Sequence, residues 1–380
     1  MKNKRKMVIV TANDFLAYQP SILNLYDHLE PFFEISIISF EPEFIGRQKA
    51  TGRKIVYLKI PFLLKWVVQK FDFALQVAAK LLNPLFKSLS HYFLYYHRLQ
   101  YYYLETYLKG VKADEVLAVD ISALYIVQSV FGKCHFFSLE LYPGDPFRKK
   151  IHVGDILSVV IQNRERYDYL FPGAELPVFY IQNAPVFHEG MTRSYDRKDI
   201  IWAGTIVKQF AVIECIEFIR NYPSFNLHLK GGAERKTLQY INAHYGDLLG
   251  SGNLRIDSGY LASEDFIDYL AHFRIGLCFY SWDLIRKSIN YQTAPSGKLF
   301  MYMAAGVPVV ACNIPGFQFV REFGAGILID DYDPGTIHQA IQLIEENYDK
   351  YRQGCYEAAR KYSFERTVGP YIDFLVRDQE

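Results

Sequence analysis

The stretch TAPSGKLFMYMAAGVPVVAC, from Thr293 to Cys312, decides the reading of the fold. Pro295 disfavours helix at the residue before it and suits a first helical turn. Ser296 and Gly297 are small, and Leu299, Phe300 and Met303 open a helical face. The helix ends at Gly306, and VPVVAC, an unbroken apolar run, reads as a strand buried on both faces. Just upstream, RIGLCFY reads as another such strand, so the local order is strand, loop, helix, strand. A helix N-terminus placed after a strand presents unpaired amides. With little side-chain bulk in front of them, these suit a phosphate or pyrophosphate. Lys298 adds a point charge. The same Pro-Ser-Gly would equally cap a purely structural helix, and local chemistry leaves both readings open.

Outward from this stretch, short β-rich runs alternate with helical ones twice over, the pattern of parallel sheets covered by helices. MVIVTA, EISIISF, KIVYL, DEVLAV, CHFFSL, LSVVI and VFYIQ are the strands expected in the first half, and DIIWAG, FNLHLKG, NLRID, RIGLCFY, VPVVAC and GILI those in the second. Between the halves, NAPVFHEGMTRSYDRKD, from Asn183 to Asp199, has breakers and charges without a period and reads as a linker. The expected class is α/β, with two doubly wound Rossmann-like domains. A length of 380 residues fits two domains better than one. Half the residues are hydrophobic and 22% are charged, which excludes disorder and fibrous repeats as descriptions of the whole chain.

Five cysteines (Cys134, Cys215, Cys278, Cys312, Cys355) have no paired spacing, which argues against zinc or disulfides and suits a reducing cytosol. The basic start MKNKRKMVIVTAND has too short an apolar run for a signal peptide, and no charge-free apolar stretch reaches membrane-spanning length. No repeat of solenoid or propeller period is present. Asp331 and Asp333 form an Asp-x-Asp, but DYDPG is turn and N-cap chemistry rather than a metal site.

Four further stretches join the first in a resemblance. IIWAGTIVKQF, LHLKGGAER, IDSGYLASEDFIDYLAHFRIGLCFY and YSFERTVGPYIDFL, in this order and spacing, cover about Ile200 to Leu375. Together with Thr293 to Cys312 they resemble the C-terminal half of GT-B-fold glycosyltransferases, in particular the large retaining family that uses nucleotide-activated sugars (glycosyltransferase family 4-like, group 1). The resemblance implies two facing domains: residues 1–188 on the acceptor side with a helical hairpin over 61–110, residues 189–365 holding the nucleotide-sugar, and a terminal helix over 366–380 returning to the first domain. It implies transfer of a sugar from a nucleotide-sugar, a substrate and not a cofactor, to a lipid-linked or polysaccharide acceptor in cell-surface glycan synthesis. No metal is called for.

Carried over by position, Gly204, Thr205 and Lys208 would face the diphosphate. Gly231 and Gly232 would let the backbone approach the nucleotide, and Tyr260 and Leu261 would hold the base. Pro295, Ser296, Gly297 and Lys298 would meet the phosphates. Where many members carry two glutamates eight positions apart, for the sugar and the ribose, this chain has Thr293 and Met301; methionine accepts no useful hydrogen bond from a ribose hydroxyl. Thr205 replaces an arginine. On the acceptor side, Asp120 ends a strand, and Glu140 and Asp145 follow another in FSLELYPGDPF. Each is a candidate to orient an acceptor hydroxyl or take its proton. The arginines of QNRER, Gln162 to Arg166, read as surface charges, with a place facing the cleft as the alternative.

The net charge of +1 hides an asymmetry: residues 44–112 contain 12 Lys or Arg against Asp72 and Glu105, an excess of +10, leaving −9 for the rest. Aromatics are also abundant, with 30 Tyr, 29 Phe and 3 Trp, more than a core alone requires. From Pro61 to Gly110 the period is helical: Leu64, Val67, Phe71, Leu75, Ala78 and Leu82 form one apolar stripe, Asn83 and Pro84 break it, and a second helix follows to Gly110. Such a basic, aromatic surface could serve single-stranded nucleic acid, an anionic bilayer, or simply its own domain. With near-zero total charge and no nucleic-acid motif, the expectation is a membrane surface through residues 44–112, the stripe being buried and the protein peripheral on the inner face of the cell membrane. Two other classes compete with transfer: a catalytically inactive GT-B partner of an active transferase, which Thr293 and Met301 favour, and a nucleotide-sugar epimerase, which lacks a clear acid and base pair.

Overall fold

The computed structural model describes residues 4–13, 16, 20–41, 52–82, 95–142, 144–187, 199–259, 261 and 263–377. Contacts divide the chain into two compact units, Met1–Tyr180 with Pro370–Glu380, and Ile181–Gly369. Of the expected linker, residues 188–198 lie outside the described set, while Asn183 to Phe187 belong to the second unit.

The first unit runs β1 (Arg5–Thr11), α1 (Pro20–Leu29), β2 (Phe33–Phe40), β3 (Ile55–Leu58), α2 (Phe62–Leu82), α3 (Tyr95–Leu108), β4 (Glu115–Val119), α4 (Asp120–Phe131), β5 (Cys134–Phe137), β6 (Ile156–Ile161), α5 (Arg164–Leu170) and β7 (Val178–Tyr180). Its seven strands are parallel in the order β3-β2-β1-β4-β5-β6-β7. Runs such as Met7 to Val10 and Val116 to Val119 are buried residue after residue. That is why the strands read as continuous apolar stretches and not as alternating ones.

The second unit runs β8 (Ile200–Ala203), α6 (Val212–Asn221), β9 (Leu227–Lys230), α7 (Arg235–His244), α8 (Gly246–Ser251), β10 (Leu254–Asp257), α9 (Ser263–Leu270), β11 (Ile275–Cys278), α10 (Trp282–Lys287), α11 (Ile289–Thr293), α12 (Gly297–Ala304), β12 (Val309–Cys312), α13 (Gln318–Glu322), β13 (Gly326–Ile329), α14 (Pro334–Glu346), α15 (Tyr348–Tyr362) and α16 (Phe364–Arg377). Its six strands are parallel in the order β10-β9-β8-β11-β12-β13. Period-2 alternation splits β8 between two cores. Ile201 and Ala203 join the apolar cluster that includes Leu299, Phe300 and Met303 of α12, whereas Ile200 and Trp202 join the one built on α6 and α14.

The last helix starts in the second unit and ends in the first. Phe364 N–H donates to Pro185 O at 3.2 Å and Glu365 accepts from Phe187 N–H. Farther along, Tyr371 and Phe374 pack their rings tilted against Phe179, and Arg5 donates to Leu375 O at 2.8 Å.

The hairpin differs from its expected packing. α3 lies between α2 and α4, and residues 83–94 fall outside the described set. The first half of the stripe expected to be buried is not: Leu64, Val67 and Phe71 are 38%, 49% and 53% exposed, while Leu75 is half-buried and the side chains of Ala78 and Leu82 lie outside the described set. α2 instead turns Asp72 inward, where its Oδ2 accepts from Tyr96 N–H at 2.8 Å in the first turn of α3. One buried carboxylate capping a neighbouring helix outweighs the apolar stripe in setting the helix's rotation, because amides at a helix start need a partner once covered.

Candidate functional site

In both sheets the strand order reverses direction once, between β1 and β4 and between β8 and β11. Beyond the carboxyl ends of such strands adjoining loops diverge and leave a crevice, the usual ligand position in open α/β sheets. The second unit's candidate site is at its reversal point.

After β8 the chain turns at Gly204, with φ +134°, and after β9 at Gly231, with φ +143°. A Cβ on Gly231 would stand 2.0 Å from Gly204 O, so the two turns meet this closely only with glycine at 231. Backbone bonds tie them: Gly204 N–H to Lys230 O at 2.8 Å, Ile206 N–H to Gly232 O at 2.7 Å, and Gly231 N–H to Asp257 O at 2.9 Å. Thr205 and Gly232 are exposed beside them. Lys208 is exposed, with its ammonium 3.2 Å from the centre of the Tyr240 ring.

Lys298, in the first turn of α12, reaches back across the reversal point. A Cβ on Gly204 would lie 2.9 Å from its Cδ and 3.2 Å from its Nζ. The ammonium lies over Trp202 at 4.6 Å, Phe210 at 5.3 Å and Tyr280 at 5.5 Å, measured to the ring centres. It is buried and has no hydrogen-bond partner among the described residues. Three aromatic faces moderate the cost of burying a cation but supply no anion. At the same helix end, the Ser296 side chain gives no cap to the α12 amides. Pro295 and Ser296 are buried, and Gly297 is small for a reason the sequence did not reveal: a Cβ there would meet Asn183 Nδ2 at 3.0 Å.

The other carried-over positions fall into place differently. Tyr260 lies outside the described residues, and Leu261 is half-buried. The turn before it is pinned by Asp257, which accepts from Gly259 N–H at 2.8 Å and from Lys230 Nζ at 2.5 Å. The Lys230 bond, then the Gly259 amide, hold the Asp257 carboxyl below its ordinary range. Thr293 is buried and its hydroxyl donates to Ile289 O at 2.7 Å, a back-bond within α11. Met301 packs on the apolar cluster beneath α12. Neither offers the open acceptor that a glutamate would supply. Asp333 caps α14 through Gly335 N–H, with Asp331 in the turn before it.

In the first unit the three carboxylates separate by burial. Glu140 is exposed. Asp145 is 6% exposed and accepts from Phe147 N–H at 2.9 Å. Asp120 opens α4 with a left-handed backbone, φ 61°, and its Oδ1 accepts from Leu139 N–H at 2.7 Å and Glu140 N–H at 3.0 Å. Its Oδ2 is buried and has no hydrogen-bond partner among the described residues. Burial pushes the carboxyl up to about 7 against the two amide bonds, with Glu140 adding to the rise and Arg166 opposing it. Arg166 corrects the surface reading of its segment: it is wholly buried and donates to Leu139 O at 2.9 Å, while Arg164 stays outside and pairs with Asp168. Asp120, Arg166 and Gln162, which donates to Ser138 O, fasten the loop that carries Glu140. A buried arginine beside a strand end was the missed residue, and an Asn-x-x-Arg helix start gives no hint of it.

No family model matches the chain. A D-inositol 3-phosphate glycosyltransferase from Nocardioides sp. is 35% identical over 78 residues, 20% of this chain and 17% of that protein. The chain thus aligns with less than a fifth of that relative's length. Solved structures match over nearly all of it. A UDP-forming α,α-trehalose-phosphate synthase from Burkholderia vietnamiensis aligns with a TM-score of 0.66 at 12% identity, covering 99% of both chains. Sucrose-phosphate synthase from Thermosynechococcus elongatus aligns at 0.65 and 12%, and Anabaena Alr3699/HepE in complex with UDP at 0.65 and 11%, each covering 99% of both chains. The chain has the GT-B fold that these proteins share, as the resemblance of its C-terminal half implied.

Proposed function

We propose that this protein is a GT-B glycosyltransferase whose second unit binds the diphosphate of a nucleotide-sugar between Gly204 and the start of α12. The observation that carries this reading is the Lys298 ammonium, buried and without a hydrogen-bond partner among the described residues, at the reversal point of the sheet. A diphosphate would supply the missing charge and take the uncapped α12 amides as donors. As the bond from the anomeric carbon to the diphosphate oxygen breaks, negative charge grows on that oxygen. A fixed cation and fixed dipoles stabilise it there without reorganising. The acceptor oxygen then bonds the anomeric carbon and its proton passes to the departing diphosphate. In our reading the transfer retains configuration, invokes no metal ion, and acts on a lipid-linked or polysaccharide acceptor. Glu140, the exposed carboxylate of its loop, orients the acceptor hydroxyl, and Asp120 positions that loop. UDP in the Anabaena protein supports a nucleotide donor in this fold.

The inward turn of Thr293 and Met301 favours a second reading, a nucleotide-binding partner of an active transferase. Calorimetric titration with UDP, GDP, dTDP and ADP, followed by assay of the matching nucleotide-sugars for transfer and hydrolysis, separates the two. Binding with turnover is expected, and binding without turnover favours the partner. Lys298→Met should weaken diphosphate binding about 10- to 100-fold, the worth of one charge-assisted contact, while preserving the fold. No nucleotide binding by the unaltered protein would remove both readings.

A further inference from the structure

Helix α2 is an amphipathic helix turned inside out. Phe62, Leu63, Trp66, Val67, Phe71 and Phe73 are 79%, 71%, 50%, 49%, 53% and 65% exposed. At about 3.6 residues per turn they sweep half the circumference of the helix. The opposite side packs inward through Asp72, with Val68 and Leu75 half-buried beside it. Scattered exposed apolar residues need no explanation, but a contiguous half-cylinder of large ones does.

The segment that contains this face is basic in sequence. Lys70 is exposed within the apolar arc, its ammonium 5.9 Å from the centre of the Trp66 ring. Segment 44–112 carries 12 Lys or Arg and two acids; Asp72 is buried, Glu105 pairs with Lys109 at 2.8 Å, and Arg53, Lys54 and Lys59 pair with Asp27, Glu34 and Glu41, so the segment with these three partners keeps an excess of +7. A second copy would bring this excess of like charge against itself. Lipid phosphates would complement it, with rings and aliphatic chains in the acyl boundary and lysine stems reaching back to the headgroups. Among the described residues no helix is long and apolar enough to cross a membrane, so the contact is one of lying on a surface.

We propose that α2 docks this protein in the headgroup region of an anionic bilayer, with Phe62, Trp66 and Phe73 as anchors and Lys70 on lipid phosphate. The proposal does not rest on the nucleotide reading, because it uses no residue of that site.

Flotation of the full chain with phosphatidylcholine vesicles, and with vesicles containing phosphatidylglycerol, tests it. Binding to the anionic vesicles is expected to be at least about tenfold stronger and to weaken with salt. The double variant Trp66→Glu with Phe73→Glu should abolish flotation with an unchanged circular dichroism spectrum, and Lys70→Gln should lower anionic binding severalfold while leaving neutral binding alone. The proposal is overturned by absence of flotation with either vesicle, or by undiminished flotation of the double variant. It is overturned equally by a concentration-dependent dimer, dissociated by the double variant, in protein that ignores vesicles; the face would then belong to a second copy.

Discussion

Asp120 shows how one side chain links backbone strain, burial and protonation. A non-glycine residue with φ 61° persists only when its surroundings hold it, and here two amides grip Oδ1 while Oδ2 has no hydrogen-bond partner among the described residues. With its carboxyl at about 7 in the folded chain and near 3.9 when unfolded, the folded state keeps a proton that the unfolded state has lost between those values. Stability from this group is therefore fully present below about pH 4 and is lost as pH rises through about 7. Asp120→Asn keeps an oxygen for the two amides, tolerates the left-handed backbone and never ionises. Urea unfolding at pH 5 and pH 8 should show the variant gaining on the parent by on the order of 2–3 kcal/mol between the two pH values. Parallel curves would mean that Oδ2 is better solvated than its burial indicates.

At the scale of elements, the strands were legible because parallel strands covered on both faces advertise themselves as unbroken apolar runs. GILI and VPVVAC needed no context to be placed. The start of α12 was legible too, since Pro-Ser-Gly before an apolar helical face has few other uses. What stayed hidden depends on contacts between distant segments: Asn183 against Gly297, Arg166 beneath Leu139, and the rotation of α2. In α2 the period was right and the face was wrong, because a stripe of Leu and Phe says that a side is apolar but not that something covers it. Asp72, one acid in a basic segment, decides the matter by capping α3 across the hairpin. Asp72→Ala should destabilise the first unit by about 1–2 kcal/mol, the usual loss on removing a cap, and speed amide exchange in the first turn of α3. Asp72→Asn, which retains an acceptor, should recover most of that. Equal losses in both variants would assign the effect to the carboxylate's charge instead.

At the scale of the molecule, the donor reading concentrates on one unit. Each unit has its own parallel sheet, and every residue of the proposed diphosphate site, from Gly204 to Lys298, belongs to Ile181–Gly369. A ligand that binds only the folded state stabilises by RT ln(1 + [L]/Kd), about 2.7 kcal/mol at a hundredfold excess over Kd. For a unit of this size each kcal/mol moves the midpoint by about 2–4 °C, so a saturating nucleoside diphosphate should raise the second unit's transition by roughly 5–10 °C. Hydrogen exchange in the same samples gives the spatial readout: added protection should concentrate at Gly204, Gly231 and the first turn of α12, with β1 to β7 unchanged in local opening. Protection spread evenly over both sheets would show that the units unfold as one. Protection confined to the first unit would place the nucleotide elsewhere and leave the Lys298 ammonium as a buried charge without a use.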